Sequence, residues 1–176
     1  MNLQPRLHVE GLNKTFGPTQ VLHDIEITLN PGELHALIGQ NGSGKSTVVK
    51  VLTGYHASDP GARLEIDGVA IRTPVVWKEA HARGVSVVHQ DFGLLDQLTV
   101  AENVGVGGFE TTSWLYRITW ARQEQIAAEV LARLGSDLDP CRPVGTLSAA
   151  ERSEVAIARA LRDHQPGSGL IILDES

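Results

Sequence analysis

The sequence predicts an α/β fold, and three observations carry that prediction. Residues 6–38 contain short segments that alternate apolar and polar side chains, the period of half-buried strands. The apolar segment ELHALIG then runs into a glycine-rich turn at Gly39–Ser46, and a helical pattern follows. The chain closes on a second apolar segment, Leu170–Leu173, that ends in Asp174 and Glu175.

The elements follow in order. RLHVEGLNKTF and VLHDIEITL read as strands separated by the turn at Gly17-Pro18. ELHALIG, residues 33–39, reads as a short apolar strand. Residues 45–53 read as a helix with Val48, Val49, Val51 and Leu52 on its apolar side. RLEIDGVAI gives two short strands around the hairpin signal Asp67-Gly68. Pro74 opens a helix that Gly84 ends, and VSVVH is a buried strand. From Phe92 to about Leu161 the pattern is helical. Residues 101–106 form a short turn or helix, and Ile126, Val130 and Leu134 mark the apolar face of a longer one that stops at Gly135. Ser148 is the N-cap of a further helix, LSAAERSEVAIARAL. DHQPGSG reads as a linker before the closing strand.

Composition bounds the function. The 176 residues are 41% hydrophobic and carry a net charge of −6, so a real core is affordable and a broad grip on nucleic acid is not expected. The single cysteine, Cys141, cannot form an internal disulfide, which points to a reducing, cytoplasmic compartment. No segment has the 18 or so apolar residues of a spanning helix, by the usual bilayer measure of about 20.

Gly39-Gln40-Asn41-Gly42-Ser43-Gly44-Lys45-Ser46 fits the phosphate-binding pattern G-x-x-x-x-G-K-[ST], between a strand and a helix as the mechanism requires. Glycines let the backbone wrap close to phosphates, and the N–H groups of the helix start, running on to Thr47, favour negative charge. Lys45 is expected to reach the β- and γ-phosphates of ATP, and the Ser46 hydroxyl to coordinate Mg²⁺. A chance match in a chain of this length has a probability of about 0.5%, so the loop is a strong signal. The closing strand agrees: Asp174 is placed to hold Mg²⁺, and Glu175 to orient or deprotonate an attacking water.

With both elements in place, the chain resembles the nucleotide-binding domain of ABC transporters over nearly its whole length. The resemblance implies a P-loop NTPase core with an antiparallel β subdomain and a helical subdomain, the core being residues 1–92 and 165–176 and the helical part residues 93–164. It puts Phe16 where the family stacks an aromatic on adenine. Gln90 falls where the family has a glutamine that touches Mg²⁺ and the attacking water and senses the transmembrane partner. Ser148, Ala149, Ala150 and Glu151 fall on the signature that meets the ATP of a second domain. LTVAENV, ITWARQEQIAAEVLARLG and the form L-S-x-A-E-R look like the ATPases of ribose- or galactose-type importers. What this implies is a head-to-tail pair of ATPase domains, a transmembrane permease, an extracytoplasmic solute-binding protein acting indirectly, and a place at the cytoplasmic face of the membrane. Trp77, Trp114 and Trp120 read as packing residues, and His89 as a strand end.

Two departures stand out. The signature glycines of the family are replaced by Ala149 and Ala150, which keep their N–H groups but lose access to positive φ. The sequence also stops one residue after Glu175, before the D-loop, the further core strand and the switch histidine of the family; His164 precedes the closing strand and cannot replace that histidine. The chain therefore reads as a fragment, incomplete at its C-terminus and expected to be marginally stable or prone to aggregate alone. The alternatives are an ATP-binding module without hydrolysis and the ATPase of another importer class; a soluble ABC protein acting on ribosomes or DNA would predict a basic extension or a metal-binding insert, and this sequence shows neither.

Overall fold

A computed structural model describes residues 4–89, 92–109, 118–164 and 169–174. These residues fall into two compact units, one within the bounds Met1–Val87 and Gln165–Ser176 and the other within Val88–His164.

The first unit is built on an antiparallel sheet of order β2-β1-β3-β4, with β1 Leu7–Phe16, β2 Thr19–Leu29, β3 Arg63–Ile66 and β4 Val69–Ile71. Pairing runs from Leu7↔Leu29 to Phe16↔Thr19, closed by the Gly17 turn, and Leu7↔Ile66 starts the ladder to β3. Asp67 and Gly68 both have positive φ, 50° and 71°, as a two-residue hairpin turn of the primed type demands. Arg6 braces this turn: it pairs with Asp67 and donates to the Arg83 carbonyl at 2.6 Å. Helix α1, Lys45–Leu52, buries Val48, Val49 and Val51. Helix α2 spans Trp77–Ala82, and strand β5, Val85–His89, pairs with the closing strand, Leu170–Asp174. One core joins them, from Leu7, Val9 and Leu12 through Val48 and Val51 to Val85 and Leu170.

In the second unit, α3 is Val100–Gly105, α4 Trp120–Arg133 and α5 Ala149–Leu161, and the closing strand of the first unit is accordingly β6. Val100, Val104, Leu131, Val144 and Val155 form the centre of its core. Asn103 is fully buried there and satisfied in full: its amide accepts from the Leu95 N–H at 2.8 Å and donates to the carbonyls of Leu95 and Thr99 at 3.0 Å. That pins the loop ahead of α3. Helix α4 ends in a Schellman motif, with Gly135 at φ 71°, its N–H on the Ala132 carbonyl and the Ser136 N–H on the Leu131 carbonyl.

Three expectations need correction. Residues 33–39 form no strand: no ladder partner lies beside them among the described residues, and Leu34 and Ile38 are 94% and 92% exposed. An extended apolar segment becomes a strand only when neighbours take up its N–H and C=O groups, which local pattern cannot supply. Helix α2 starts at Trp77, three residues after Pro74, because its N-cap Val76 is in extended backbone, Val75 is buried and the β-branched pair Val75-Val76 resists helix. The buried face of α4 is Gln123, Ala127, Val130 and Leu131, a stripe rotated from the expected one, with Leu134 left at the C-cap.

Val75 also explains a glycine. A Cβ on Gly54, whose φ is +78°, would lie 2.1 Å from the Val75 carbonyl oxygen. Backbone meets backbone there, so neither side yields easily. Gly54→Ala is expected to destabilise the fold by about 3 kcal/mol, read as a lower urea midpoint at unchanged slope.

Candidate nucleotide-binding site

The loop of residues 39–46 lies in the first unit and leads directly into α1. Gly42 and Gly44 have φ of 84° and 92°, a backbone that side chains with a Cβ rarely adopt. A Cβ on Gly44 would meet Leu22 at 2.8 Å, and one on Gly39 would meet Ser43 Oγ at 2.5 Å, whereas one on Gly42 would meet nothing within 4 Å. The loop is thus closed on its inner side and open along its rim. The Ser43 N–H bonds back to the Gln40 carbonyl at 3.1 Å, and the Val48 N–H to Gly44 at 2.9 Å. No side chain caps α1. The first-turn N–H groups, at Lys45, Ser46 and Thr47, have no intrahelical acceptor.

Lys45 Nζ donates to the carbonyls of Gly39 at 2.8 Å and Gln40 at 3.0 Å, so the ammonium is held across the loop mouth. An ammonium, uncapped first-turn N–H groups and the hydroxyls of Ser46 and Thr47 together make a donor set suited to a polyphosphate. Ser46 and Asp174 offer the hard oxygen donors Mg²⁺ prefers, and that ion takes one or two protein ligands beside phosphate and water. Among the described residues no cluster of three or more His, Cys, Asp or Glu could hold a metal unaided. Asp174 ends β6, and β6 shares one core with α1: Leu170 belongs to the cluster that holds Val48 and Val51, and Ile172 packs against that cluster.

Phe16 ends β1 and is 39% exposed. The His56 ring meets it edge-on with centroids 5.0 Å apart, and Lys14 Nζ lies 4.8 Å from its centroid. An exposed ring braced in this way is available for stacking. Asn41, Gly42 and Ser43 are exposed. Gln90 and Glu175 lie outside the described residues, as does Trp114. His89 is the last residue of β5. Trp77 and Trp120 are 42% and 49% exposed; Trp77 stacks on His81 and Trp120 meets Phe109 edge-on, so their packing is one-sided.

In the second unit Ser148 caps α5 in a full capping box. Its Oγ accepts from the Glu151 N–H at 3.3 Å, and Glu151 Oε2 accepts from the Ser148 N–H at 2.7 Å. The Ser148 backbone N–H, the Ser148 side chain and Arg142 all hold the Glu151 carboxyl below the usual range. Ala149 and Ala150 form the first turn in ordinary helical backbone. Sequence reasoning missed Arg142, whose Nη1 lies 2.6 Å from Glu151 Oε1. It also missed His56 behind Phe16. Neither carries a local sequence signal, because both contacts are made by loop segments folding back.

A family model for ABC transporters matches residues 22–176. A ribose import ATP-binding protein of Burkholderia pseudomallei is 40% identical over 98% of this chain and 33% of its own length. Its counterpart in Geobacillus kaustophilus is 39% identical over 96% of this chain and 33% of its own length. This chain thus spans about a third of the length of the curated relatives it matches. Among solved structures, a nucleotide-free ATP-binding cassette from an ABC transporter superposes with a TM-score of 0.76 at 28% identity, covering 96% of this chain and 68% of that one. The family match takes in both the glycine-rich loop and the strand ending at Asp174, and the chain belongs to the ABC transporter family.

Proposed function

We propose that this chain is an ATP-binding and hydrolysing part of an importer that carries a sugar, of the ribose type, through a membrane permease. The observation that carries the proposal is the Lys45 loop, with its ammonium held across an open rim of uncapped N–H groups. The ribose importers at about 40% identity support the choice of cargo class.

In this reading Phe16 stacks on the adenine, and the N–H groups of residues 42–47 enclose the phosphates. Lys45 leaves the Gly39 and Gln40 carbonyls for the β- and γ-phosphates, exchanging neutral acceptors for charged ones. Ser46, Asp174 and Gln90 would hold Mg²⁺, which neutralises charge on the transferring phosphoryl group. Glu175 takes the proton of the attacking water, and Gln90 orients that water. Ser148 and the start of α5 serve the γ-phosphate bound by a second ATPase domain arranged head to tail, so that closure and reopening of the pair drive the permease. An extracytoplasmic solute-binding protein hands the sugar to that permease. All of this sits at the cytoplasmic membrane face. No nucleic acid partner enters the reading.

The test is reconstitution of the complete gene product with its permease in proteoliposomes holding labelled ribose and its solute-binding protein outside. ATP-dependent uptake with phosphate release is expected. Phosphate release without uptake of ribose, galactose or related sugars refutes the sugar assignment. ATP binding without phosphate release refutes hydrolysis and leaves a binding module.

A further inference from the structure

The start of α5 carries an electrostatic contradiction. A carboxylate three residues into a helix stabilises that helix, because it caps free N–H groups and meets the positive end of the dipole. The same carboxylate repels any other anion brought to those N–H groups. Glu151 is such a residue, and α5 begins with two alanines that cannot open the turn as glycines would.

Arg142 resolves the contradiction through geometry. The two oxygens of Glu151 have separate tasks: Oε2 accepts from the Ser148 N–H at 2.7 Å, and Oε1 accepts from Arg142 Nη1 at 2.6 Å. Arg142 Nη2 donates to the Thr146 carbonyl at 3.1 Å, so the same guanidinium ties down the turn that leads into Ser148. The Arg142 backbone is fixed as well. Its N–H bonds to the Asp139 carbonyl at 3.1 Å, and its carbonyl accepts from Val100 at 3.0 Å. Side-chain exposures of 38% and 29% for Arg142 and Glu151 leave the pair only partly screened by water.

We propose that Arg142 is a positioning residue of the α5 N-terminus. By pairing with Glu151 it cancels the negative charge there and keeps the carboxylate in the cap, so that Ser148 and the first-turn N–H groups can receive the γ-phosphate held by a second ATPase domain. The inference rests on the head-to-tail reading given under Proposed function. Arg142 acts through Glu151 and does not itself touch the nucleotide.

Phosphate release by the complete gene product, reconstituted with its permease, tests this through a double-mutant cycle. Arg142→Ala is expected to lower turnover at saturating ATP about tenfold, with the affinity of the Lys45 loop for ATP changed less than about twofold. Arg142→Lys keeps the charge and loses the second bond, and is expected to stay within about threefold of wild type. In a Glu151→Gln background, where no charge needs cancelling, Arg142→Ala is expected to change turnover less than about twofold. An undiminished turnover in Arg142→Ala overturns the proposal. So does an equal tenfold loss in the Glu151→Gln background, which would mean that Arg142 acts by some route other than Glu151. Loss of ATP binding in Arg142→Ala marks misfolding, and Arg142→Lys with the double variant then decides. If wild type releases no phosphate, the functional reading fails. ATP-dependent self-association of the same four variants then decides the role of Arg142, with the same rank order expected.

Discussion

Lys45→Ala is expected to abolish ATP binding. The ammonium makes two hydrogen bonds to loop carbonyls, at 2.8 and 3.0 Å, and in the proposed complex it exchanges them for phosphate oxygens. A hydrogen bond to a charged group contributes roughly 1.5–3 kcal/mol, so removing the lysine costs at least about 100-fold in affinity. The fold should hardly notice. Both carbonyls lie at the exposed end of the loop and water can replace the lost donor. Isothermal titration with ATP beside a urea melt checks both halves. Tight binding by the variant would remove Lys45 from the site. A collapsed melt would mean that the lysine holds the loop together and is not reserved for a ligand.

Glu175→Gln is expected to leave ATP binding within about twofold while lowering phosphate release by roughly 10²–10⁴, the usual worth of a general base. The argument is chemical. Glu175 directly follows Asp174, the residue that ends β6, and in the proposed site the two carboxylates divide the work, one at the metal and the other at the water. Glutamine keeps the size and the acceptor oxygen but cannot take a proton at neutral pH. Single-turnover release from pre-bound ATP separates this from a binding defect. Wild-type release in the variant would overturn the role given to Glu175. Asp174→Asn would not imitate it, since that change acts on Mg²⁺ and should raise the Mg²⁺ needed for half-maximal rate.

The parts of the fold that were legible in the sequence are those fixed by near neighbours. The Asp67-Gly68 turn, the Ser148 cap, the Gly135 stop and the phosphate loop each depend on residues within a few positions, and glycine, serine and aspartate announce them. The parts that were not legible depend on distant segments. Residues 33–39 have the composition of a strand, but pairing is decided elsewhere in the chain. Arg6 reaches Asp67 across 61 positions, and no spacing rule marks such a pair. The face of α4 was misjudged because the polar Gln123, at 2% exposure, sits in the core stripe beside Ala127. Apolar counting overlooks both a buried amide and a small alanine. The same reason hid Asn103, whose buried hydrogen bonds organise the start of α3.

The bare segment at residues 33–38 has a consequence in time. A chain leaves the ribosome N-terminus first, at about 5–20 residues per second. Residues 170–174 therefore emerge roughly 7–30 s after the segment does. Its Leu34 and Ile38 face water even in the folded chain. Extended, unpaired and apolar segments of this kind are templates for pairing with another molecule. During synthesis at high level, the neighbouring nascent copies on one messenger are the nearest such molecules. The soluble yield is therefore expected to fall as translation becomes faster and more crowded, and the soluble fraction at graded induction checks it.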